Sequence, residues 1–360
     1  MKIIAFLLPQ FHRIEENDRW WGEGFTEWTN VRRARSLYPA HKQPRVPAEE
    51  NYYDLTDPAA RARQAELARE YGIYGFCYYH YWFAGKQLLE KPLGEVLRSG
   101  EPEFPFCLSW ANEPWTRRWD GMDSEILMPQ SYGEEDDWTR HFECLLEAFR
   151  DPRYIRVDGK PLLSIYRPAH IPRCEEMLLH WRKLAVQNGL GGLHLVRTLG
   201  GFRSGTSAGF DASVEFEPHY TFAHGMLQPH WDRVRVDGRP HLTVDYDRVW
   251  SSILHRSPHR QGERIYPGAF VNWDNTPRKG AEGQSTIGMT PAKFERYLTR
   301  QLEKARREYG SEFVFLNAWN EWAEGAYLEP DQEHGYRCLE AVRQALLKQS
   351  KASPAADYGD

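Results

Sequence analysis

The sequence predicts an α/β fold, a (β/α)8 TIM-type barrel with long loops after its first and sixth strands. Two observations lead there. Eight apolar runs of strand length recur along the 360 residues, most without strict alternation, as expected of parallel strands covered on both faces. Helical patterns fall between them and no linker interrupts the series, which is the signature of repeated βα units. Residues 1–350 therefore read as one barrel domain, and residues 351–360, which carry no strand or helix pattern, as a flexible C-terminal tail.

The first strand is predicted at Ile3–Leu8, and the helix that follows at Pro58–Tyr71, opened by Thr56-Asp57-Pro58 and stopped by Gly72. Strand two is expected at Ile73–Tyr79 with a weaker helix over Leu88–Arg98. Strand three, Phe106–Trp110, precedes a helix at Glu135–Arg150, and strand four, Leu162–Tyr166, precedes one at Glu175–Gln187. Strands five and six are expected at His194–Thr198 and Ala212–Phe216, followed by a weaker helix at Tyr246–Arg256. Strand seven, Ala269–Asn272, leads to a helix at Pro291–Tyr309. Strand eight, Val314–Ala318, leads to one at Tyr336–Lys348. Two connections exceed plain loops: Pro9 to Asn51, with Trp20, Trp21, Trp28 and Tyr38, and Glu217 to Pro267, with Trp231. Both leave the C-terminal end of a strand, the face on which barrels build active sites.

Composition removes several classes of function. Lys and Arg number 46 against 51 Asp and Glu, a net charge of −5, whereas a nucleic-acid binder needs a basic excess. Mean hydropathy is −0.71 and no apolar run approaches the ~20 residues of a spanning helix, so no membrane span is expected. Five widely spaced cysteines without a CxxC pair form neither a disulfide framework nor a zinc site. The apolar start, Ile3 to Leu8, is too short for a signal peptide, and a cytoplasmic protein is expected. The unusual figure is aromatic: 14 Trp, 19 Tyr and 17 Phe, or 14% of the chain. Part of that is core, but many of these rings sit beside polar residues in loop-like sequence, a surface suited to amphipathic ligands such as sugars.

The predicted strand ends concentrate chemistry. Gln10 and His12 follow strand one; Tyr79, His80 and Trp82 end strand two; Trp110, Asn112 and Glu113 end strand three. Glu217 follows strand six, Trp273 strand seven, and Asn320, Glu321, Trp322 and Glu324 strand eight. With Trp21, Glu27 and Trp28 from the first long loop, these are the candidate substrate-binding groups around a Glu321/Glu324 catalytic pair. Cleaving an acetal needs one carboxylic acid for the leaving oxygen and a second carboxylate at the anomeric side. An i,i+3 pair in a helical turn has its Cβ atoms ~5–6 Å apart. Carboxylates that close suppress each other's ionisation, so one stays protonated near neutral pH.

Blander readings stand beside these. Glu-x-x-Glu is common on solvated helix starts, yet here it follows an apolar strand and sits among Trp319 and Trp322. Asn112 reads as a site residue or a cap, and His80 as a pocket residue or a satisfied core histidine. Glu217 reads equally as a site residue or the partner of a barrel arginine. Glu27 and Trp28 also suit pinning the first loop, and Asp274 suits capping a turn. No metal or cofactor is expected: Pro258 lies between His255 and His259, and no Gly-rich phosphate loop or GxSxG elbow is present. Asp245-Tyr246-Asp247 is the literal DxD, and its position suits a helix cap.

Several of these stretches resemble the WbsX family, grouped with glycoside hydrolase family 99-like proteins. They are Pro9-Gln10-Phe11-His12, Gly24-Phe25-Thr26-Glu27-Trp28-Thr29-Asn30-Val31, Tyr78-Tyr79-His80-Tyr81-Trp82, Trp110-Ala111-Asn112-Glu113-Pro114-Trp115 and Asn320-Glu321-Trp322-Ala323-Glu324-Gly325. The resemblance runs from Ile3 to about Leu347. It implies a (β/α)8 barrel and a retaining, endo-acting glycoside hydrolase on a bacterial surface polysaccharide or oligosaccharide. It also implies that Glu321 takes the proton of a sugar 2-hydroxyl, which attacks the anomeric carbon, while Glu324 protonates the leaving group and then activates water. WbsX proteins are commonly labelled glycosyltransferases of O-antigen assembly. A transferase, or a non-catalytic carbohydrate-binding barrel, therefore remains the alternative. Mannose specificity is not part of the resemblance, and oligomeric state is not legible.

Overall fold

The computed structural model describes residues 1–117, 122–225, 232–236, 239–258 and 262–351. Trp231, His259 and the tail from residue 352 on lie outside the described residues. Eight parallel strands form the barrel: β1 Lys2–Leu7, β2 Ile73–Phe83, β3 Phe106–Trp110, β4 Lys160–Ile165, β5 His194–Leu199, β6 Ala212–Glu215, β7 in two pieces (Ile265–Tyr266 and Gly268–Phe270), and β8 Phe313–Asn317. Each pairs with its sequence neighbour, and β8 returns to β1. The ring changes partner inside β7: the first piece pairs with β6 and the second with β8. The break falls at Pro267, which has no N–H to give. Gly268 follows because a Cβ there would sit 1.9 Å from the Glu215 carbonyl oxygen.

Among the described residues, seven helices pack outside: α1 Pro58–Glu70, α2 Lys91–Ser99, α3 Glu135–Arg150, α4 Cys174–Gln187, α5 Tyr246–His255, α6 Pro291–Arg307 and α7 Arg337–Lys351. Their starts follow cap chemistry: Asp57 accepts from the Ala59 N–H (2.9 Å), Asp245 from Arg248 (3.0 Å) and Thr290 from Lys293 (3.2 Å). Residues 200–211, between β5 and β6, contain no helix, so the eight βα units include one bare crossover. None of the helices among the described residues is long and apolar enough to cross a membrane.

Three differences from the sequence expectation matter for the site. β2 runs on to Phe83 because the turn at Ala84-Gly85 lets Lys86–Leu88 fold back on it as a hairpin, which delays α2 to Lys91. The first long connection carries two short helices, Glu15–Trp21 and Glu27–Arg33. The second contributes strands Asp232–Val236 and Arg239–Asp245, the latter pairing with Gln284–Ile287 from the connection after β7.

β1 and β8 are also joined at their ends. The Asn320 carboxamide accepts from the Leu8 N–H (2.7 Å) and donates to the Leu8 carbonyl (3.0 Å) and to the Tyr53 hydroxyl (3.2 Å). Asn320→Ala leaves both Leu8 backbone groups buried and unpaired, at about 1–3 kcal/mol for each. Chemical denaturation is expected to register a loss of about 2–5 kcal/mol; a loss under about 1 kcal/mol contradicts the clamp.

Candidate active site

All eight strand ends open on one cavity of about 370 Å3. β1 supplies Leu8 and Gln10; β2 Tyr79 and Tyr81; the loops after β3, β4 and β5 supply Glu113, Arg167 and Phe202. Beyond β6, β7 and β8 come His219, then Trp273 and Arg278, then Glu321 and Glu324. Trp21 and Trp115 roof it from the long first loop and from a hairpin after β3. Thus Glu321, Glu324, Gln10, Trp21, Tyr79, Glu113 and Trp273 meet at one cavity.

The two glutamates do not lie on a regular α-helical turn. Asn320–Glu321 is a short strand paired with Ala326–Tyr327, and Trp322–Glu324 is a 3-10 turn closed by Gly325 at φ 63°. Only glycine fits there, since a Cβ would lie 2.9 Å from that of Asp274. The Asp274 N–H donates to the Glu324 carbonyl (2.6 Å), tying the β8 turn to the β7 loop.

One guanidinium organises the acids. Arg278 donates through Nη1 to Glu324 and through Nη2 to Glu321 Oε2 (3.1 Å), while its Nε and Nη2 both reach Glu27 Oε1 at 2.8 Å. The Glu321 side chain is 7% exposed and that of Glu324 20%. Burial, reinforced by the Glu324 charge and only partly offset by Arg278, pushes the Glu321 carboxyl up to about 8. Burial likewise raises Glu27, and it raises the Tyr79, Tyr81 and Tyr166 phenols, with the Glu321 charge adding to each.

The remaining candidates are placed elsewhere. Along β2, successive side chains face opposite ways, so Tyr79 and Tyr81 point into the mouth while His80 and Trp82 point out toward α3. There His80 and His141 share a ring-nitrogen contact of 2.9 Å, and burial lowers His80 to about 4. Trp110 faces the same way, against His141 and Trp181. His12 is buried on the Pro9 carbonyl (2.9 Å). Asn112 clamps the Arg167 backbone from both sides, accepting from its N–H (2.7 Å) and donating to its carbonyl (2.9 Å). Glu217 is fully buried and pairs with Arg256 (2.7 Å), the arginine-partner alternative. Glu27 is fully buried behind Arg278, and Asn320 serves the β1 clamp. Trp28 packs on Phe11, Tyr53 and Trp322, and Trp322 stacks on Tyr327 at 3.8 Å. Asp274 does cap its turn, accepting from the Thr276 N–H (3.1 Å).

Two residues escaped the sequence reading. Arg278 sits in the four-residue helix Thr276–Lys279, where Thr-Pro-Arg-Lys carries no mark of a pocket. Glu329 is a buried carboxylate receiving the indole N–H groups of Trp322 (2.6 Å) and Trp319 (3.1 Å), the Gln64 amide (2.8 Å) and the Tyr53 hydroxyl (2.8 Å). It holds the turn that carries the pair from behind, and burial raises it to about 7.

The barrel as a whole resembles solved structures at low sequence identity. It shares its fold with the family 99 endo-alpha-mannosidase from Bacteroides thetaiotaomicron (15% identity, TM-score 0.55, 98% of each chain). A solved glycoside hydrolase-like protein is also similar (14%, TM-score 0.58, covering 96% of this chain and 93% of that one). The chain matches the glycosyltransferase WbsX family model over residues 3–342 and belongs to that family. Two proteins called uncharacterized protein WxcX, from strains of Xanthomonas campestris pv. campestris, are 41% identical over 355 and 351 residues. Each alignment covers 96% of this chain and 50% of the relative, so the chain spans about half the length of the curated relatives it matches.

A carboxyl raised on folding binds a proton that the unfolded chain has lost, so stability falls as pH rises from the unfolded value toward the folded one. For Glu321 that window lies between about 4.5 and 8. Each tenfold change in proton affinity is worth about 1.4 kcal/mol, so Glu321→Gln is expected to stabilise the fold by about 2–4 kcal/mol at pH 8. The gain disappears below about pH 4.5. Melts of both proteins across pH check this, and a gain that persists at pH 4 refutes it.

Proposed function

We propose that the chain is a retaining glycoside hydrolase acting on a bacterial surface polysaccharide or an oligosaccharide derived from it. The observation that carries the reading is the placement of Glu321 and Glu324 on one guanidinium, in a sugar-sized cavity walled by Trp21, Trp115, Tyr79, Tyr81 and Trp273. Walls on both sides of the pair suit a chain that continues past the scissile bond, hence endo action.

In the route the family resemblance implies, Glu321 removes the proton of the sugar 2-hydroxyl. That oxygen attacks the anomeric carbon as the leaving oxygen departs with the proton of Glu324. Water then opens the three-membered ring at the anomeric carbon, giving its proton to Glu324, while O2 recovers its proton from Glu321. Two inversions give retention, and every proton is returned. The phenols of Tyr79, Tyr81 and Tyr166, held neutral by burial, suit hydroxyl recognition without adding charge.

The family description favours a glycosyltransferase as the second reading. Against a metal-dependent nucleotide-sugar site stands the occupancy of the DxD pair: Asp245 caps α5, and Asp247 is taken by Lys293 (2.7 Å) and the Tyr297 hydroxyl (2.6 Å). Against pure binding stands the buried acidic pair, which sugar recognition alone does not need.

The test is a mass-spectrometric screen of defined bacterial oligosaccharides with the wild type and Glu324→Gln, with and without nucleotide sugars. Cleavage without a nucleotide sugar is expected, with turnover about 10²–10⁴ lower in the variant, as for loss of an acid–base group. Transfer only when a nucleotide sugar is supplied establishes the transferase. Glu321→Gln should fail likewise and not be rescued by azide. Catalysis needs one proton on the pair, so kcat/KM is expected to fall as pH rises through about 8.

A further inference from the structure

We propose that Glu27 is a positioning residue whose hold on Arg278 decides how firmly Glu321 keeps the site's proton when the cavity is empty. This rests on the reading of Glu321 and Glu324 as the working pair. It uses a residue that touches neither sugar nor cavity.

The geometry is a crowding of carboxylates. Arg278 Nη1 donates to Glu324, whereas Nη2 donates to Glu321 Oε2 at 3.1 Å and also lies 2.8 Å from Glu27 Oε1. Glu27 Oε1 also takes the Nε hydrogen at 2.8 Å, which fixes the plane of the guanidinium. Two carboxylates facing one nitrogen also repel each other, which favours the protonated form of one of them. Glu324 is the more exposed of the pair. Glu321 has less water and two negative neighbours, one of them at the nitrogen that serves it.

Among the described residues, nothing else around Glu321 reverses this order. The phenols of Tyr79, Tyr81 and Tyr166 are neutral, and the Glu113 carboxylate is paired with Arg167 across the cavity. His219 is held uncharged, burial lowering it to about 4. Lys279 is an exposed side chain on the rim. Glu27 itself is locked: it opens the helix Glu27–Arg33, its N–H donates to the Gln10 carbonyl (3.0 Å), and the Thr26–Thr29 capping box fixes the turn.

The consequence concerns the reaction. Attack by the 2-hydroxyl needs an ionised Glu321 and a protonated Glu324, so it cannot start while Glu321 keeps the proton. The proton must therefore leave Glu321 for Glu324 once substrate is bound. Glu27 thus sets the resting bias that substrate has to overcome, and the shared guanidinium lets both forms keep a partner.

The experiment is a carboxyl-carbon NMR titration of the protein labelled at glutamate side chains, without substrate, in wild type, Glu321→Gln, Glu324→Gln, Glu27→Gln and Arg278→Lys. Beside the Glu329 signal near 7, one carboxyl is expected to titrate near 8 in the wild type, to be missing in Glu321→Gln, and to persist at lower pH in Glu324→Gln. Glu27→Gln removes a charge, and should lower the midpoint by at least one pH unit, a tenfold loss of proton affinity. If that variant does not fold, Arg278→Lys, which offers one ammonium to three carboxylates, should raise the midpoint. A signal lost in Glu324→Gln instead, or a midpoint indifferent to both Glu27→Gln and Arg278→Lys, overturns the proposal. No turnover enters the measurement, so an inactive protein with the expected titration refutes only the hydrolase reading.

Discussion

The mouth of this barrel is organised by one cation among three acids. Arg278 is the shared partner of Glu27, Glu321 and Glu324, and none of these acids comes from the same connection as the guanidinium. Bringing them together requires the loops after β1, β7 and β8 to be fixed against one another. The structure supplies that through Asp274, buried beside the turn. Its carboxylate takes His41 at 2.9 Å and Gln43 at 2.8 Å from the first long loop, and the Thr276 hydroxyl at 2.7 Å from its own. Its N–H holds the Glu324 carbonyl. The helix bearing Arg278 begins at Thr276, so the same lock sets where the guanidinium starts.

Burying several carboxylates around a single guanidinium costs stability, because desolvation is repaid only by good pairing. Glu329 marks the contrast. It too is buried, but four neutral donors converge on it without a cation, and its task is to hold the indoles of Trp319 and Trp322 on either side of Glu321. One buried acid is fully served and structural; the other is underserved and faces a cavity. Perturbed carboxyls occur in ordinary ion-pair networks as well as in functional sites. It is the cavity that separates Glu321 from Glu329 and from the Glu215–Glu217–Arg256 cluster.

The barrel was legible because buried parallel strands leave continuous apolar runs, and all eight runs became strands within a few residues at each end. The site was legible only in part. A run such as Tyr78-Tyr79-His80-Tyr81-Trp82 announces chemistry without saying which residues face inward, and the period of two sends His80 and Trp82 to the helices. Applied at the outset, that alternation would have selected Tyr79 and Tyr81 together. Arg278 is a different case. It lies 251 residues from Glu27 and 43 from Glu321, and a Thr-Pro-Arg-Lys turn looks like any helix start. Long-range charge compensation of this kind leaves no local pattern.

The aromatic excess divides in a way composition cannot reveal. Trp28, Trp82, Trp110, Trp138, Trp181, Trp250, Trp319 and Trp322 are buried and serve packing or hold loops, so eight of the 14 tryptophans are scaffold. The cavity uses a smaller set, arranged unevenly. Phenols and rings from β2 and the loops after β3, β4 and β5 line one part, with Glu113 paired to Arg167 among them, while Arg278, Glu321 and Glu324 come with Trp273 from the loops after β7 and β8. A sugar ring seated between them would lay its C–H face on the rings and turn its hydroxyls and anomeric carbon toward Arg278 and its acids. That arrangement, more than the number of tryptophans, is what favours the proposed acetal chemistry, since it sets the surface that would hold a sugar beside the groups that would move protons.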